Sequence, residues 1–291
     1  MKNKFYIETQ LAVETELENL FKLPPKEYGV LFDAMSYSVL GGGKRLRGVM
    51  MLECGRLCGL SREEILPFAC AIEMIHASTL IHDDLPCMDN DDFRRGKPAC
   101  HKAFGEDVAL LAGDALYAYA LHRLLMDVGK FEYAGNITDA IAVFTSLCGA
   151  DGVFGGQILD KRFETEPCNF EQLLQLHSLK TGALFLSCAR IPCILSRADA
   201  KTEKALRTYM SKLGLAFQVK DDLLDLEGSF DTLGKAIGAD SEKSTFVTLL
   251  GAEESKNYLK KLVLEAREAI SVLPDNELLL WISEFVMNRN V

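Results

Sequence analysis

The spacing of apolar residues is the feature that most limits the folds open to this chain. In the segment 11–21 the apolar residues recur mostly at steps of three and four, which is typical of one face of an α-helix. The run from Val108 to Leu125 is rich in alanine and leucine and is too long for a strand. No extended stretch of alternating β-branched residues competes with this pattern. We therefore predict an all-α fold, a bundle of roughly ten or more helices.

Glycine and proline mark the places where these helices are interrupted. Gly41-Gly42-Gly43 precedes Lys44, Pro86 ends another helix, and Gly228 closes a third. No linker rich in proline, glycine and serine divides the 291 residues, and a hydrophobic content of 48% is enough for one large core. We therefore predict a single domain over residues 1–291.

Charge and cysteine usage limit the partners and the compartment. The formal net charge of -10 argues against nucleic acid as a partner, because phosphate-backbone binders need a basic face. The nine cysteines show no paired framework and no complete zinc-site spacing, so we expect reduced thiols in a cytoplasmic protein. The longest stretch without a charged residue, Ala140 to Ala150, is too short to span a bilayer, so no transmembrane segment is expected.

Two clusters of carboxylates stand far apart in otherwise apolar sequence. The first lies in the segment 83–92 and the second in the segment 221–225. Like charges at this density repel, so such clusters require either raised pKa values or hard metal ions held between the groups. Basic residues precede and follow the first cluster, and they are of the kind that binds phosphate oxygens. Together these features predict a diphosphate substrate bound with a divalent metal.

The spacing within each cluster predicts which carboxylates act together. Asp221 and Asp225 lie on one face of a helix, with β-carbons about 6 Å apart, whereas Asp222 points elsewhere. In the first cluster Pro86 forces the chain out of the helix between Asp83 and Asp89, so these two can meet only if the intervening residues form a compact excursion. Mg²⁺ suits such a site, because it takes a few carboxylate oxygens and completes its shell with water and substrate phosphate.

These motifs resemble those of the trans-isoprenyl diphosphate synthases, and in particular of their bacterial and plant short-chain branch. The first cluster matches Asp-Asp-Xaa4-Asp followed by Arg-Arg-Gly, and the second matches Asp-Asp-Xaa2-Asp. Further matches occur in order from end to end, at Gly42-Gly43-Lys44-Arg45-Leu46-Arg47, Gly113-Asp114, Gly155-Gly156-Gln157-Xaa2-Asp160, Lys180-Thr181-Gly182, Phe217-Gln218 and Gly234-Lys235. Two positions depart from the pattern: Gly48 replaces the usual proline, and Ser36 replaces a frequent arginine. The resemblance implies an isoprenoid synthase-like bundle around a central apolar cavity, acting as a homodimer.

The resemblance also implies the role of each matching residue. Metal ligands would be Asp83, Asp89, Asp221 and Asp225, supported by Asp84, Asp160 and Asp222 around three Mg²⁺ ions per active site. The allylic diphosphate would contact Arg94, Lys180 and Lys235, and isopentenyl diphosphate would contact Lys44, Arg47, His76 and Arg95. The Lys180 carbonyl, the Thr181 hydroxyl and the Gln218 amide oxygen would stabilise the allylic cation. The reaction implied is the condensation of isopentenyl diphosphate with dimethylallyl, geranyl or farnesyl diphosphate, with release of diphosphate.

Product length is expected to depend on the residues just before Asp83. Five positions earlier, about 7.5 Å back along the helix, lies Ser78, followed by Thr79. Related farnesyl diphosphate synthases carry an aromatic residue there, so these small side chains predict a C20 product, geranylgeranyl diphosphate. A C15 product, farnesyl diphosphate, is the alternative if another helix closes the cavity.

The same residues are also compatible with other interpretations. A single acidic helix is often only a solvated face, and a lone histidine such as His76 is often a core residue. A P-loop at Gly41–Lys44 is disfavoured because no strand precedes it and Arg45 replaces the serine or threonine that would bind magnesium. Two other functional classes are a terpene cyclase, which would not require isopentenyl diphosphate, and a non-catalytic partner subunit, which should have lost some of these residues.

Overall fold

Helices account for nearly all the regular structure in the computed structural model, which describes residues 3–227 and 244–289. The prediction of an all-α fold with ten or more helices is confirmed. The helices are α1 Lys4–Leu20, α2 Gly29–Leu40, α3 Leu46–Leu57, α4 Arg62–Asp83, α5 Cys100–Phe104, α6 Glu106–Val128, α7 Ile137–Cys148, α8 Val153–Phe163, α9 Phe170–Lys180, α10 Gly182–Ser196, α11 Ala200–Glu227, α12 Phe246–Leu250, α13 Ala252–Ile270 and α14 Glu277–Asn288. Within the described ranges the only strands are β1 Phe93–Arg94 and β2 Lys97–Pro98, which pair as an antiparallel hairpin.

The chain divides into two compact units, which we describe separately. Unit 1 consists of Met1–Leu52 and Arg62–Glu132, and unit 2 consists of Glu53–Ser61 and Tyr133–Val291. One acidic cluster belongs to each unit. The single domain predicted over residues 1–291 stays a prediction.

Unit 1 is built around α4, which packs against α6. The helix begins with Glu63 and Glu64 in its first turn, where carboxylates interact favourably with the helix dipole. Its middle is almost entirely buried, including Phe68 and Ile72. Near the end of α4, Gly113 on α6 allows the two helices to pack closely. A β-carbon at Gly113 would lie 2.9 Å from Cε1 of His82 and closer still to Nε2. Gly113 therefore makes room for the ring that immediately precedes Asp83.

Unit 2 is centred on α10 and α11, which pack against each other. α10 is an apolar helix of 15 residues, whereas α11 has 28 residues and carries many charged side chains. The fully buried side chains of the two helices include Phe185 and Tyr209. The Tyr209 hydroxyl donates to the Leu279 carbonyl at 2.6 Å, which ties α11 to α14. Burial of such large side chains supplies much of the driving force for folding, about 1.5–3 kcal/mol for each large apolar group.

Three helical stretches of the described chain are long and apolar enough to cross a membrane, judged by length and composition alone. They are Arg62–Asp83, Glu106–Val128 and Ile137–Phe163; the bent pair Phe170–Lys180 and Gly182–Ser196 meets the same test when taken together. The apolar part of Arg62–Asp83 is 67% buried within the protein, as expected for the central helix of unit 1. The expected absence of a transmembrane segment stays a prediction.

All nine cysteines lie within the described residues, and none forms a disulfide. Seven are buried in the core, Cys58 is partly exposed and Cys87 is exposed. The sulfurs of Cys58 and Cys193 lie 3.8 Å apart. Free thiols are the state expected in a reducing compartment.

Candidate active site

The first acidic cluster follows the C-terminus of α4, and the chain folds back on itself there. The Asp89 amide donates to the Asp83 carbonyl at 2.9 Å, and the Asn90 amide donates to the Leu85 carbonyl at 3.1 Å. Asn90 has φ of 53°, a left-handed conformation that asparagine tolerates well. The residues around Pro86 thus form a compact excursion of the kind needed to bring Asp83 and Asp89 together.

Asp84 differs from its neighbours because it is buried and bonded to Arg94. The Nε atom of Arg94 donates to Asp84 Oδ1 at 2.9 Å, Nη2 donates to the same oxygen, and Nη2 also contacts Asp91 Oδ2 at 3.2 Å. Burial raises the pKa of Asp84, opposed by the guanidinium. Burial lowers the pKa of Arg94, but its bonds to Asp84 and the nearby aspartates outweigh that effect and raise it. The pair fixes Arg94 near Asp83 as a permanent cation.

The hairpin turn presents Arg95. Its two central residues, Arg95 and Gly96, both have positive φ, 55° and 74°, which matches the type I′ turn favoured in two-residue hairpins. The Arg95 guanidinium lies against Gly43, where an added β-carbon would be 2.9 Å from Cζ, and Nη1 donates to the Gly42 carbonyl. The hairpin is therefore attached to the glycine-rich loop of the sequence motif.

All four residues predicted to bind isopentenyl diphosphate belong to unit 1. Lys44 is exposed and Arg47 partly exposed, while His76 lies on α4 two turns before Asp83. Burial lowers the pKa of His76 well below its usual value, and the guanidinium groups of Arg47 and Arg95 add to the effect. His76 is therefore neutral near pH 7 and able to donate one N–H. The positive charges around it suit a diphosphate group.

Asp160 and Lys180 are brought together in unit 2 by the close approach of α8 and α9. A β-carbon at Gly156 would lie 2.5 Å from the Lys180 α-carbon and 2.7 Å from the Leu179 carbonyl carbon, so only glycine allows this approach. One turn later on α8, Asp160 accepts a hydrogen bond from the Lys180 ammonium. The Gly155-Gly156-Gln157-Xaa2-Asp160 motif thus has a direct structural explanation.

Thr181 lies at the junction where α9 ends and α10 begins. Its hydroxyl donates to Gln218 Oε1 at 2.7 Å, which links the junction to α11. Because the hydroxyl hydrogen is directed at Gln218, the lone pairs of the Thr181 oxygen point elsewhere. The three groups predicted to stabilise a cation, on Lys180, Thr181 and Gln218, are therefore neighbours in this structure.

The second acidic cluster lies near the end of α11, and its three carboxylates have different surroundings. Asp222 accepts the Phe246 amide at 2.7 Å, at the start of α12, so it points away from the face shared by Asp221 and Asp225. Asp221 is partly exposed and is paired with Arg289, whose Nη2 lies 2.6 Å from Asp221 Oδ1. Arg289 also covers the Phe217 ring at 3.7 Å and donates to the Phe217 carbonyl. Arg289 is thus a fixed cation beside the cluster.

The two residues predicted to set product length differ in accessibility. Ser78 is buried, and its hydroxyl donates to the Ile75 carbonyl at 2.9 Å. Thr79 is partly exposed and lies one turn before Asp83, on the same face of α4 as His76. Of the two, Thr79 is the one placed to contact a substrate that runs along α4 from Asp83.

One further observation bears on the predicted metal site. Within residues 3–227 and 244–289, no group of three or more histidine, cysteine or acidic side chains is already arranged to hold a metal ion. Lys235 lies outside the described residues. Glu73 and Tyr6 are two buried polar residues of unit 1 whose roles the sequence does not predict.

Comparison with known proteins identifies the family. The sequence profile of the family described as "Polyprenyl synthetase" matches residues 29–274. The chain is 40% identical to farnesyl diphosphate synthase of Bacillus subtilis over 269 residues, which cover 92% of this chain and 88% of the relative. It is 41% identical to geranylgeranyl diphosphate synthase of Cyanophora paradoxa over 264 residues, covering 89% and 88%.

Solved structures show the same similarity. A geranyltransferase of Legionella pneumophila has a TM-score of 0.88 and 31% identity, covering 98% of this chain and 96% of the other. The geranyltransferase of Helicobacter pylori, solved with magnesium and isoprenyl diphosphate, has a TM-score of 0.84 and 33% identity, covering 99% and 97%. The chain therefore belongs to the polyprenyl synthetase family, as a short-chain trans-isoprenyl diphosphate synthase and hence a trans-prenyltransferase.

Proposed function

We propose that this enzyme condenses isopentenyl diphosphate with dimethylallyl, geranyl and farnesyl diphosphates to give all-trans geranylgeranyl diphosphate, a C20 product, with release of diphosphate. One observation carries the proposal: each acidic cluster lies beside a cation held by its own ion pair. Arg94 is held by Asp84 in unit 1, and Arg289 by Asp221 in unit 2. Carboxylates next to fixed cations suit a substrate that is itself a multivalent anion bound through metal.

The carboxylates predicted as ligands fit Mg²⁺. Asp83, Asp89 and Asp221 keep accessible surface, and Asp221 also pairs with Arg289. Asp84 is bonded to Arg94 and Asp222 to the Phe246 amide. Asp83, Asp89, Asp221 and Asp225 would hold the ions. Bound Mg²⁺ would neutralise diphosphate oxygens and stabilise the charge that develops on the leaving group.

The chain's cations would promote ionisation of the allylic substrate. As the carbon–oxygen bond breaks, negative charge accumulates on the departing diphosphate, and cations already in place stabilise that transition state more than the ground state. Arg94, Lys180 and Lys235 are proposed for this role. Arg94 is held by its ion pair with Asp84, and Lys180 by its ion pair with Asp160, so these two side chains are already in place before the reaction.

The residues at the start of α10 would stabilise the resulting cation. The Lys180 carbonyl, the Thr181 hydroxyl oxygen and the Gln218 amide oxygen all present negative ends of dipoles. The hydrogen bond from Thr181 to Gln218 at 2.7 Å supports this, because it orients the hydroxyl dipole. Apolar surroundings would keep water from reacting with the cation.

Isopentenyl diphosphate would bind to Lys44, Arg47, His76 and Arg95. Burial, with the guanidinium groups of Arg47 and Arg95 acting in the same direction, lowers the pKa of His76, so a neutral imidazole stands beside these cations. Binding here would hold the double bond of isopentenyl diphosphate near the allylic cation, which is a proximity effect. The released diphosphate could then accept the proton lost from the adduct.

The C20 product is supported by the small side chains of Ser78 and Thr79 on α4. Thr79 is accessible on the face of Asp83, and an allylic tail passing it meets no bulky group at that position. Relatives of similar identity are named both farnesyl and geranylgeranyl diphosphate synthases, so a C15 product is the second candidate.

We also infer a cytoplasmic homodimer that does not bind nucleic acid. The outer face of α6 exposes large apolar side chains, including Leu111 at 60% and Met126 at 59% exposure, which supports burial against a second copy. The nine free thiols support a reducing compartment. Light scattering coupled to size exclusion would measure the mass in solution; twice 32.3 kDa is expected.

The proposal is tested by substrate omission. Diphosphate release from dimethylallyl diphosphate is measured with Mg²⁺ in the presence and absence of isopentenyl diphosphate. Release that depends on both substrates supports chain elongation. Release without isopentenyl diphosphate would indicate a cyclase, and no release with any allylic substrate would indicate a non-catalytic subunit.

A further inference from the structure

The loop between α2 and α3 has a backbone that needs outside support. Gly42 and Gly43 have φ of 95° and 123°, and Arg45 has φ of 49°. The left-handed conformation is unfavourable for a residue with a β-carbon, by about 1–2 kcal/mol. Lys44 and Arg47, proposed to bind isopentenyl diphosphate, flank this strained arginine. Surrounding contacts must therefore hold the loop in place.

Three consecutive peptide carbonyls of this loop are each held by a side chain from another part of unit 1. The Gly42 carbonyl accepts from Arg95, the Gly43 carbonyl accepts from Gln10 Nε2 at 3.3 Å, and the Lys44 carbonyl accepts from the Tyr6 hydroxyl. Tyr6 and Gln10 are four residues apart on α1, so they lie on the same face of that helix. Burial and the nearby carboxylates of Glu73 and Glu14 raise the pKa of Tyr6, so its phenol remains a hydrogen-bond donor.

The next part of the loop is anchored by a buried charged group. The Arg45 side chain is 3% exposed; its Nε lies 3.7 Å from Glu14 Oε1, and its Nη1 lies 3.9 Å from Glu73 Oε2. Glu73, 4% exposed, also accepts the Gly48 amide at 2.8 Å. This last bond needs a backbone N–H at position 48, which every residue except proline supplies.

We propose that Tyr6, Gln10 and Glu73 are positioning residues for the isopentenyl diphosphate pocket. Through the carbonyls of residues 43 and 44, the Arg45 side chain and the Gly48 amide, they fix the backbone that carries Lys44 and Arg47. The proposal rests on the function proposed above. Arg45 serves as the internal anchor of the motif, since it is buried while Lys44 is exposed and Arg47 partly exposed. None of the three positioning side chains has to touch substrate.

The test uses Tyr6→Phe and Gln10→Met, singly and together, which remove the two donors from α1 with little change in volume. Each hydrogen bond is expected to contribute about fivefold to the Michaelis constant for isopentenyl diphosphate, so the double variant should raise it about 25-fold. The Michaelis constant for the allylic diphosphate should stay within about twofold, because Arg94 is held independently by Asp84. Calorimetric titration with isopentenyl diphosphate alone should show the same weakening.

Tyr119→Phe is the matched control. The Tyr119 hydroxyl donates to the Leu20 carbonyl at 3.0 Å, so the control loses the same kind of bond at the other end of α1. It should leave both Michaelis constants unchanged. Glu73→Gln is a second test: it keeps an oxygen for the Gly48 amide but removes the charge facing Arg45, and it should also selectively weaken isopentenyl diphosphate binding.

The outcomes separate this proposal from the proposed function. If the wild-type enzyme shows no release that depends on isopentenyl diphosphate, the proposed function fails. If the wild type is active and the Tyr6, Gln10 double variant binds isopentenyl diphosphate as tightly as the wild type, the positioning role is refuted. A parallel rise in both Michaelis constants, or an equal effect of Tyr119→Phe, would show only a general loss of stability and would also refute it.

Discussion

Replacing Gly156 with alanine should damage catalysis through the contact between α8 and α9. The added β-carbon would lie 2.5 Å from the Lys180 α-carbon and 2.7 Å from the Leu179 carbonyl carbon. Non-bonded carbon atoms normally approach to about 3.5 Å, so the two helices must separate by about 1 Å. The obstructing atoms belong to the backbone, which cannot rotate out of the way as a side chain can.

Two effects of that separation can be given magnitudes. Overpacking of this kind costs about 1–3 kcal/mol. At about 2–4 °C per kcal/mol for a domain of this size class, the melting temperature should fall by about 2–12 °C. A displacement of about 1 Å at a reacting group can cost about 100-fold in rate. Because Lys180 and its neighbour Thr181 move with the end of α9, we expect kcat to fall by about this factor in protein that is still folded.

The assay combines calorimetric melting with steady-state diphosphate release. Gly29→Ala is the control, because no atom lies within 4 Å of a β-carbon built at Gly29. The control should keep both its melting temperature and its activity. A Gly156→Ala enzyme whose melting temperature and kcat both match those of Gly29→Ala would show that the glycine is not needed for this approach.

Three further predictions concern the proposed chemistry. Asp83→Asn should lower turnover by about 100-fold or more with an unchanged circular-dichroism spectrum, because an amide cannot replace an anionic metal ligand; near-wild-type single-turnover rates at saturating Mg²⁺ would count against it. Lys44→Ala should chiefly raise the Michaelis constant for isopentenyl diphosphate, whereas Lys180→Ala should chiefly lower the rate of allylic ionisation; the reverse pattern in steady-state kinetics would show that the two pockets are wrongly assigned. Thr79→Tyr should shorten the main product to C15, with Ser78→Tyr acting in the same direction; chromatography showing unchanged C20 from both would exclude α4 as the limit on length.

Helix periodicity and motif spacing predicted much of this arrangement. The one-turn spacing of Asp221 and Asp225 and the different direction of Asp222 follow from 3.6 residues per turn, and the Phe246 amide on Asp222 agrees with this. The chain-breaking effect of Pro86 indicated an excursion after Asp83, which the Asp89 amide closes. Local geometry of this kind can be read from neighbouring residues because it depends on few atoms.

Contacts between distant segments could not be predicted in the same way. Glu73 is a single carboxylate in an apolar stretch of α4, which signals a buried partner but does not identify Arg45 or Gly48. Tyr6 and Gln10 look like ordinary residues of an amphipathic helix, and only packing of α1 brings them to the loop. Arg289 could not be distinguished from a frayed terminus until its contacts with Phe217 and Asp221 were seen. These pairings depend on tertiary structure, for which spacing along the chain holds no information.

Product analysis tests the central proposal most directly. The wild-type enzyme is incubated with dimethylallyl diphosphate, Mg²⁺ and excess isopentenyl diphosphate, and the products are separated by chain length after removal of the diphosphate. We predict that all-trans C20 geranylgeranyl diphosphate accumulates and that its formation ceases when isopentenyl diphosphate is omitted. A product distribution that ends at C15 would contradict the proposed chain length. The absence of any product longer than the starting allylic diphosphate would contradict chain elongation itself.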